Sequence, residues 1–173
     1  MALDATNVRA GTTGAVYVAP EGSTLPTDAS TALDAAFLDT GYISEDGVTE
    51  SQDSSTSDIK AWQNAAVVRK IQDSHDLTYQ FTMIETNDVS LETYYGPLNG
   101  TTVEIKGEEL PHQAFVLSVI DGDHTLRAVI PDGQVTERGE VVYQNGDVTG
   151  RPVTVTCYPD VSGVKAYVYR AEA

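Results

Sequence analysis

Basic residues are scarce in this chain. Ten Lys and Arg stand against 26 Asp and Glu, a net charge of −16 over 173 residues. Binding to phosphates or anionic lipid scales with the cations presented, so this balance excludes an ordinary nucleic-acid or membrane-surface binder. Cysteine is nearly absent too: a lone Cys157 cannot form an internal disulfide, and nothing points to an oxidising compartment. Within Val153-Thr154-Val155-Thr156-Cys157, alternation places the thiol on the apolar side, as a buried structural residue. No apolar run approaches the roughly 18 to 20 residues of a membrane helix. The first residues lack the charged and apolar regions of a secretion signal, so synthesis in a cytoplasm is expected.

Chemistry is equally sparse. His75, His112 and His124 have no metal-ligand spacing with one another or with Cys157, and Asp121-Gly122-Asp123-His124 departs from the calcium-loop pattern and reads as a turn. There is no Gly-Xaa-Ser-Xaa-Gly elbow and no phosphate loop; Gly11-Thr12-Thr13-Gly14 is a glycine pair before a strand. Asn99-Gly100-Thr101 fits a glycosylation sequon but is better explained as a hairpin turn. Glu108-Glu109 carries no catalytic weight by itself. The expectation is a protein that is not an enzyme and needs no metal or cofactor.

What the chain has is period two. From His75 to Glu85, Leu77, Tyr79, Phe81 and Met83 alternate with Asp76, Thr78, Gln80 and Thr82, which predicts a strand with one wetted face. Eleven residues at roughly 3.3 Å each reach about 36 Å, near twice the usual strand. Burying its four large side chains contributes roughly 1.5 to 3 kcal/mol each, so they form the predicted core. Further strands are predicted near 15–18, 59–63, 66–72, 101–106, 113–121, 124–131, 134–143, 152–158 and 165–170. Asp46-Gly47, Asn99-Gly100, Asp121-Gly122, Asp132-Gly133 and Asn145-Gly146 supply the residues that tight turns demand. One helix is predicted over Asp88–Tyr95, capped by Asn87 or Asp88, stopped by Gly96-Pro97, with Leu91, Tyr94 and Tyr95 on one face. The predicted class is all-β: a two-sheet antiparallel sandwich or barrel, one domain over 1–173, with a short flanking helix.

Charge is distributed unevenly. Residues 10–59 hold nine acids and no Lys or Arg. Within them, residues 44–58 (SEDGVTESQDSSTSD) have almost no apolar content and read as a long acidic loop. Arg69-Lys70 and the lone Trp62 read as ordinary strand and core residues.

Several stretches resemble one family. Asp39-Thr40-Gly41-Tyr42-Ile43-Ser44-Glu45-Asp46-Gly47-Val48, then Asp58-Ile59-Lys60-Ala61-Trp62-Gln63, Val67-Val68-Arg69-Lys70-Ile71, the strand Leu77–Glu85 and the helix ending Tyr94-Tyr95-Gly96 resemble the major tail-tube protein of long-tailed bacteriophages, particularly those infecting actinobacteria. The resemblance spans about Phe37 to Gly96, and the remainder follows by strand pattern. It implies a virion structural protein that self-assembles into stacked hexameric rings, with a lumen through which duplex DNA passes without specific binding. Tape-measure, tail-terminator and distal-tail proteins are the implied partners. Some relatives add a C-terminal immunoglobulin-like domain, which this chain, ending at Ala173, is expected to lack.

On that resemblance Asp76, Thr78, Gln80 and Thr82 are expected to face the lumen. An N-terminal arm, about 1–13, and the loop bearing Glu45, Asp46, Glu50, Asp53 and Asp58 are expected to reach the next ring. The competing class is a monomeric β-sandwich binding module such as an adhesin, which would share the hairpins and acidity. Contractile and non-contractile tails are not separated by these motifs.

Overall fold

In a computed structural model, described here at residue 3 and residues 7–172, eight strands and one helix follow in the order β1 (Thr13–Pro20), β2 (Leu38–Asp39), β3 (Ile43–Lys60), β4 (Val67–Met83), α1 (Asp88–Tyr95), β5 (Gln113–Asp121), β6 (His124–Arg138), β7 (Arg151–Tyr158) and β8 (Tyr167–Glu172). Of the expected N-terminal arm, positions 1, 2 and 4–6 lie outside the described residues. Residues 10 and 12 follow the end of β5, where the Ala10 amide donates to Asp121 Oδ2 (3.1 Å) and the Thr12 amide to the Ile120 carbonyl (3.0 Å).

All pairings are antiparallel, and the strands form one continuous ladder, β2-β1-β5-β6-β7-β4-β3, with β8 on β6. The expectation of two sheets is corrected accordingly. One strand serves both halves: β6 pairs β5 and β8 through its first residues and β7 through Asp132–Arg138. The halves nonetheless face each other. Val16, Val18, Phe115 and Ile130 from one share a buried cluster with Leu77, Tyr79, Phe81, Met83, Val153, Val155 and Cys157 from the other.

The dipeptide Asp132-Gly133, expected to be a turn, sits at this passage. A Cβ on Gly133 would lie 2.9 Å from Phe115 Cδ2 and 3.0 Å from Val155 Cγ1, so glycine is there for close approach and the chain continues as strand. Asp121-Gly122 does turn, joining β5 to β6 with Gly122 at φ +58.

The β1-β5-β6 half is apolar on both faces. Its outer side, with Ala19, Ala114, Val116 and Val129, is covered by Phe37, Leu25 and Leu33 from the β1–β2 connection and by Tyr167 and Tyr169 of β8. The connection is pinned by the buried Arg127, whose Nη1 donates to the carbonyls of Asp28 (3.1 Å) and Thr31 (2.7 Å). Helix α1 forms as predicted: Asn87 Oδ1 accepts from the Ser90 amide at 2.7 Å in a capping box, and the Gly96 amide bonds the Glu92 carbonyl. Its buried residues are Ser90, Thr93 and Tyr94 rather than the Leu91, Tyr94, Tyr95 set. The Tyr94 hydroxyl reaches the Gly139 carbonyl at 2.6 Å and docks the helix beside β6. The stretch 101–106 is not a strand; residues 99 and 102 form an isolated bridge.

The largest difference concerns the acidic segment. Residues 44–58 are not a loop but most of the 18-residue β3, paired with β4 from Val48↔Phe81 to Lys60↔Val67. Their lack of apolar residues reflects exposure, not disorder: β3 is an edge strand, and its side chains need no core. The two β4 predictions, 66–72 and 75–85, fuse into one strand of 17 residues.

Candidate assembly surfaces

Alternation along β4 separates two environments. Leu77, Tyr79, Phe81 and Met83 are all under a tenth exposed, facing the other half of the sheet. Thr78, Gln80 and Thr82 take the opposite face, aligned with Thr156, Thr154 and Pro152 of β7 and with Ser51 and Thr49 of β3. Thr136 of β6 extends the row, its Oγ1 2.7 Å from that of Thr156. The result is a wall of hydroxyl and amide groups. Asp76 stands at its margin, opposite Asp53 and 3.8 Å from Lys165 Nζ.

The five acids of β3 do not converge. Glu45 and Asp46 lie in a bulge at the start of the strand, where pairing skips from Ile43 to Val48 and Gly47 takes φ +69. Glu50 accepts from the Tyr79 hydroxyl at 2.8 Å; burial, then this carboxylate, pushes the Tyr79 hydroxyl well above its ordinary pKa. Asp58 pairs with Lys70 at 3.2 Å, an exposed contact that contributes little.

Beyond Gln52 and Asp76 the two strands leave the body. Residues 52–60 of β3 and 67–76 of β4 are exposed throughout and pair as strands only with each other, a two-stranded ribbon about 30 Å long whose base is met by Lys165 at His75 and Asp76. Its end is a tight turn with Asn64 (φ +57) and Ala65 (φ +51) in the left-handed region and the Ala61 amide on the Ala66 carbonyl at 2.7 Å. Trp62 sits there 98% exposed, with Val67, Val68, Ile59 and Ile71 also open to solvent. The reading of Trp62 as core is therefore corrected: it sits in the turn at the end of a ribbon with no second layer. The signal in the sequence was the company it keeps, since Lys60, Arg69 and Lys70 flank these apolar residues.

Between the two ends of the ladder lies a cleft of about 870 Å³, bounded by Gly11–Val16 on one side and Ile43–Val48 on the other. Asp39, Glu45, Asp46 and Glu85 line it together with Tyr42, Leu117 and Val119, and no basic residue does. Among the described residues, no cluster of three or more His, Cys, Asp and Glu could hold a metal ion. Cys157 is buried, its thiol pushed up to about 12 by desolvation.

The profile of the phage tail tube protein family matches residues 1–171. The chain belongs to that family. It is thus a structural component of the virion tail, not an enzyme. Two solved structures share the fold of this tail tube protein. The anti-feeding prophage cap, a tube-terminating cap, superposes with a TM-score of 0.54 at 7% identity, over 99% of this chain and 95% of that one. A chain from the sheath-tube complex of an extracellular contractile injection system, in the extended state, gives 0.51 at 8% identity over 98% and 95%. No curated protein matches the sequence significantly. Family membership replaces the binding-module alternative. No helix among the described residues is long and apolar enough to cross a membrane.

Proposed function

We propose that copies of this chain, each a single tube domain, assemble side by side into hexameric rings and that the rings stack into a tube conducting duplex DNA. The observation that carries this reading is the polar wall of β3, β4, β7 and β6 ending in the long unpaired edge of β3. An open edge of that length templates pairing with another chain, and a repeated heterologous contact closes into a ring when its rotation allows.

Thr78, Gln80 and Thr82, with Asp76 at the margin, face the lumen. Hydroxyls and amides offer DNA no cationic grip, and a chain of net charge −16 repels a duplex carrying about one charge per 1.7 Å. The tube therefore conducts its cargo without holding it. The β3–β4 ribbon and the N-terminal arm reach the adjacent ring. Tape-measure, tail-terminator and distal-tail proteins set length and ends.

Negative-stain electron microscopy with light scattering, on concentrated protein at moderate salt, tests the reading. Rings or hollow tubes are expected. Particles that remain monomeric even with a tail initiator complex present would overturn it.

A further inference from the structure

We infer that the end of the β3–β4 ribbon is a plug whose socket is the cleft between β1 and β3 on a second copy of this chain. The inference rests on the assembly reading above and specifies the contact that joins copies.

The plug is set apart by its charge. Residues 59–71 hold three basic residues and no acid, a balance of +3, which leaves 7 basic against 26 acidic residues, −19, for everything else. They also expose Ile59, Trp62, Val67, Val68 and Ile71. Single exposed apolar side chains are ordinary, but five within thirteen residues on a bare two-stranded arm call for a cover. A two-stranded ribbon is itself marginal in water without a further layer. The described residues supply none: pairing of β4 with β7 begins only at Thr78, and β3 pairs with no strand but β4.

The socket has the complementary character. Four carboxylates and no cation line the cleft, beside the exposed ring of Tyr42 and the apolar Leu117 and Val119. The buried Ser44 hydroxyl at its wall has no hydrogen-bond partner. Strand edges border it, because β1 has no strand partner on this side before Tyr17 and β3 none at all. About 870 Å³ is within the roughly 300 to 1,000 Å³ of sites that take a drug-sized group, enough for an indole and its neighbours but not for a domain. The apolar cleft at Val119, Leu126 and Ala171 is the obvious rival, yet a single carboxylate, Asp121, lines it beside Arg9 and Arg170, so it lacks the four carboxylates that complement the tip. Plug and socket are different surfaces of one molecule, so the contact is heterologous and propagates from copy to copy.

Trp62 is the only tryptophan, so its emission reports on the plug alone. Assembly of the intact chain should shift that emission to the blue and shield it from acrylamide. Lys60→Glu/Arg69→Glu and, separately, Glu45→Lys/Asp46→Lys should each abolish the shift while leaving the urea midpoint of the subunit unchanged, since all four positions are exposed. An equimolar mixture of the two variants should restore it, because the altered plug, now −1, then meets a socket whose charge has fallen from −4 to zero with two lysines at its wall, while the unaltered plug meets the unaltered socket. Assembly with Trp62 still water-exposed, wild-type behaviour of either variant alone, or no rescue on mixing would overturn the inference. Rescue and burial of Trp62 in particles that are neither rings nor tubes would uphold the contact and refute the tube. Tubes with Trp62 still exposed would do the reverse.

Discussion

Replacing Gly133 by alanine tests the device that makes one ladder into two facing halves. A methyl there would meet Phe115 Cδ2 at 2.9 Å, Val155 Cγ1 at 3.0 Å and Ile130 Cγ2 at 3.2 Å, three atoms of the packed core rather than flexible tips. Overpacking of a filled core costs about 1 to 3 kcal/mol. Taking about 2 kcal/mol, and a urea dependence of about 2 kcal/mol per molar, the unfolding midpoint should fall by about 1 M. Gly107→Ala is the matched control, because no atom lies within 4 Å of its Cβ position and its φ is not left-handed. That substitution should be neutral or slightly stabilising. Trimming the neighbour should relieve the clash: Phe115→Leu combined with Gly133→Ala should lose less than the sum of the single losses, a coupling a double-mutant cycle reads directly. A Gly133→Ala midpoint indistinguishable from wild type would refute the reasoning, since β6 would then not pass so close to Phe115 and Val155.

Two further outcomes concern titration. Asp28 accepts from the amide and hydroxyl of both Thr31 and Ser30, and these bonds, those of Thr31 first, hold its carboxyl at about 2. Because the folded value lies below the unfolded one, the stability it adds is present above about 3.8 and lost as pH falls through about 2. NMR titration should find Asp28 among the last carboxyls to protonate, with the amides of Ser30 and Thr31 moving at the same pH; an ordinary carboxylate midpoint would contradict the geometry. For Cys157 the sign reverses. Burial raises its thiol from 9.0 to about 12, so stability falls as pH rises above about 9, where the unfolded chain ionises first. At pH 8 a thiol reagent should modify it only as fast as the protein opens globally, and prompt labelling of folded protein would contradict its burial.

Much of this architecture was legible in the alternation itself. The period-two run through Leu77, Tyr79, Phe81 and Met83 marks four core residues directly, because a strand that buries one face must repeat every second residue. Asn87 and Gly96 likewise announce a helix through local hydrogen bonds that involve no distant residue. Edge strands leave no such trace. Apart from Val48, which packs against the core, the segment 44–58 is polar because β3 is an edge strand whose outer part has left the body, so its composition matches that of a loop. Trp62 shows the converse error: a lone tryptophan looks like core, but the turn carrying it ends a ribbon that has left the body.

The sequence by itself determined the all-β class, the β4 core face, the capped helix, the inert thiol and the absence of cationic grip, each a property of local pattern or of net charge. Only the tertiary structure decided that one ladder folds over at Gly133, that the acidic segment is an edge strand, and that the ribbon end and the acidic cleft lie on different surfaces. Those features depend on which residues far apart in the chain meet, and neither periodicity nor composition encodes a partner.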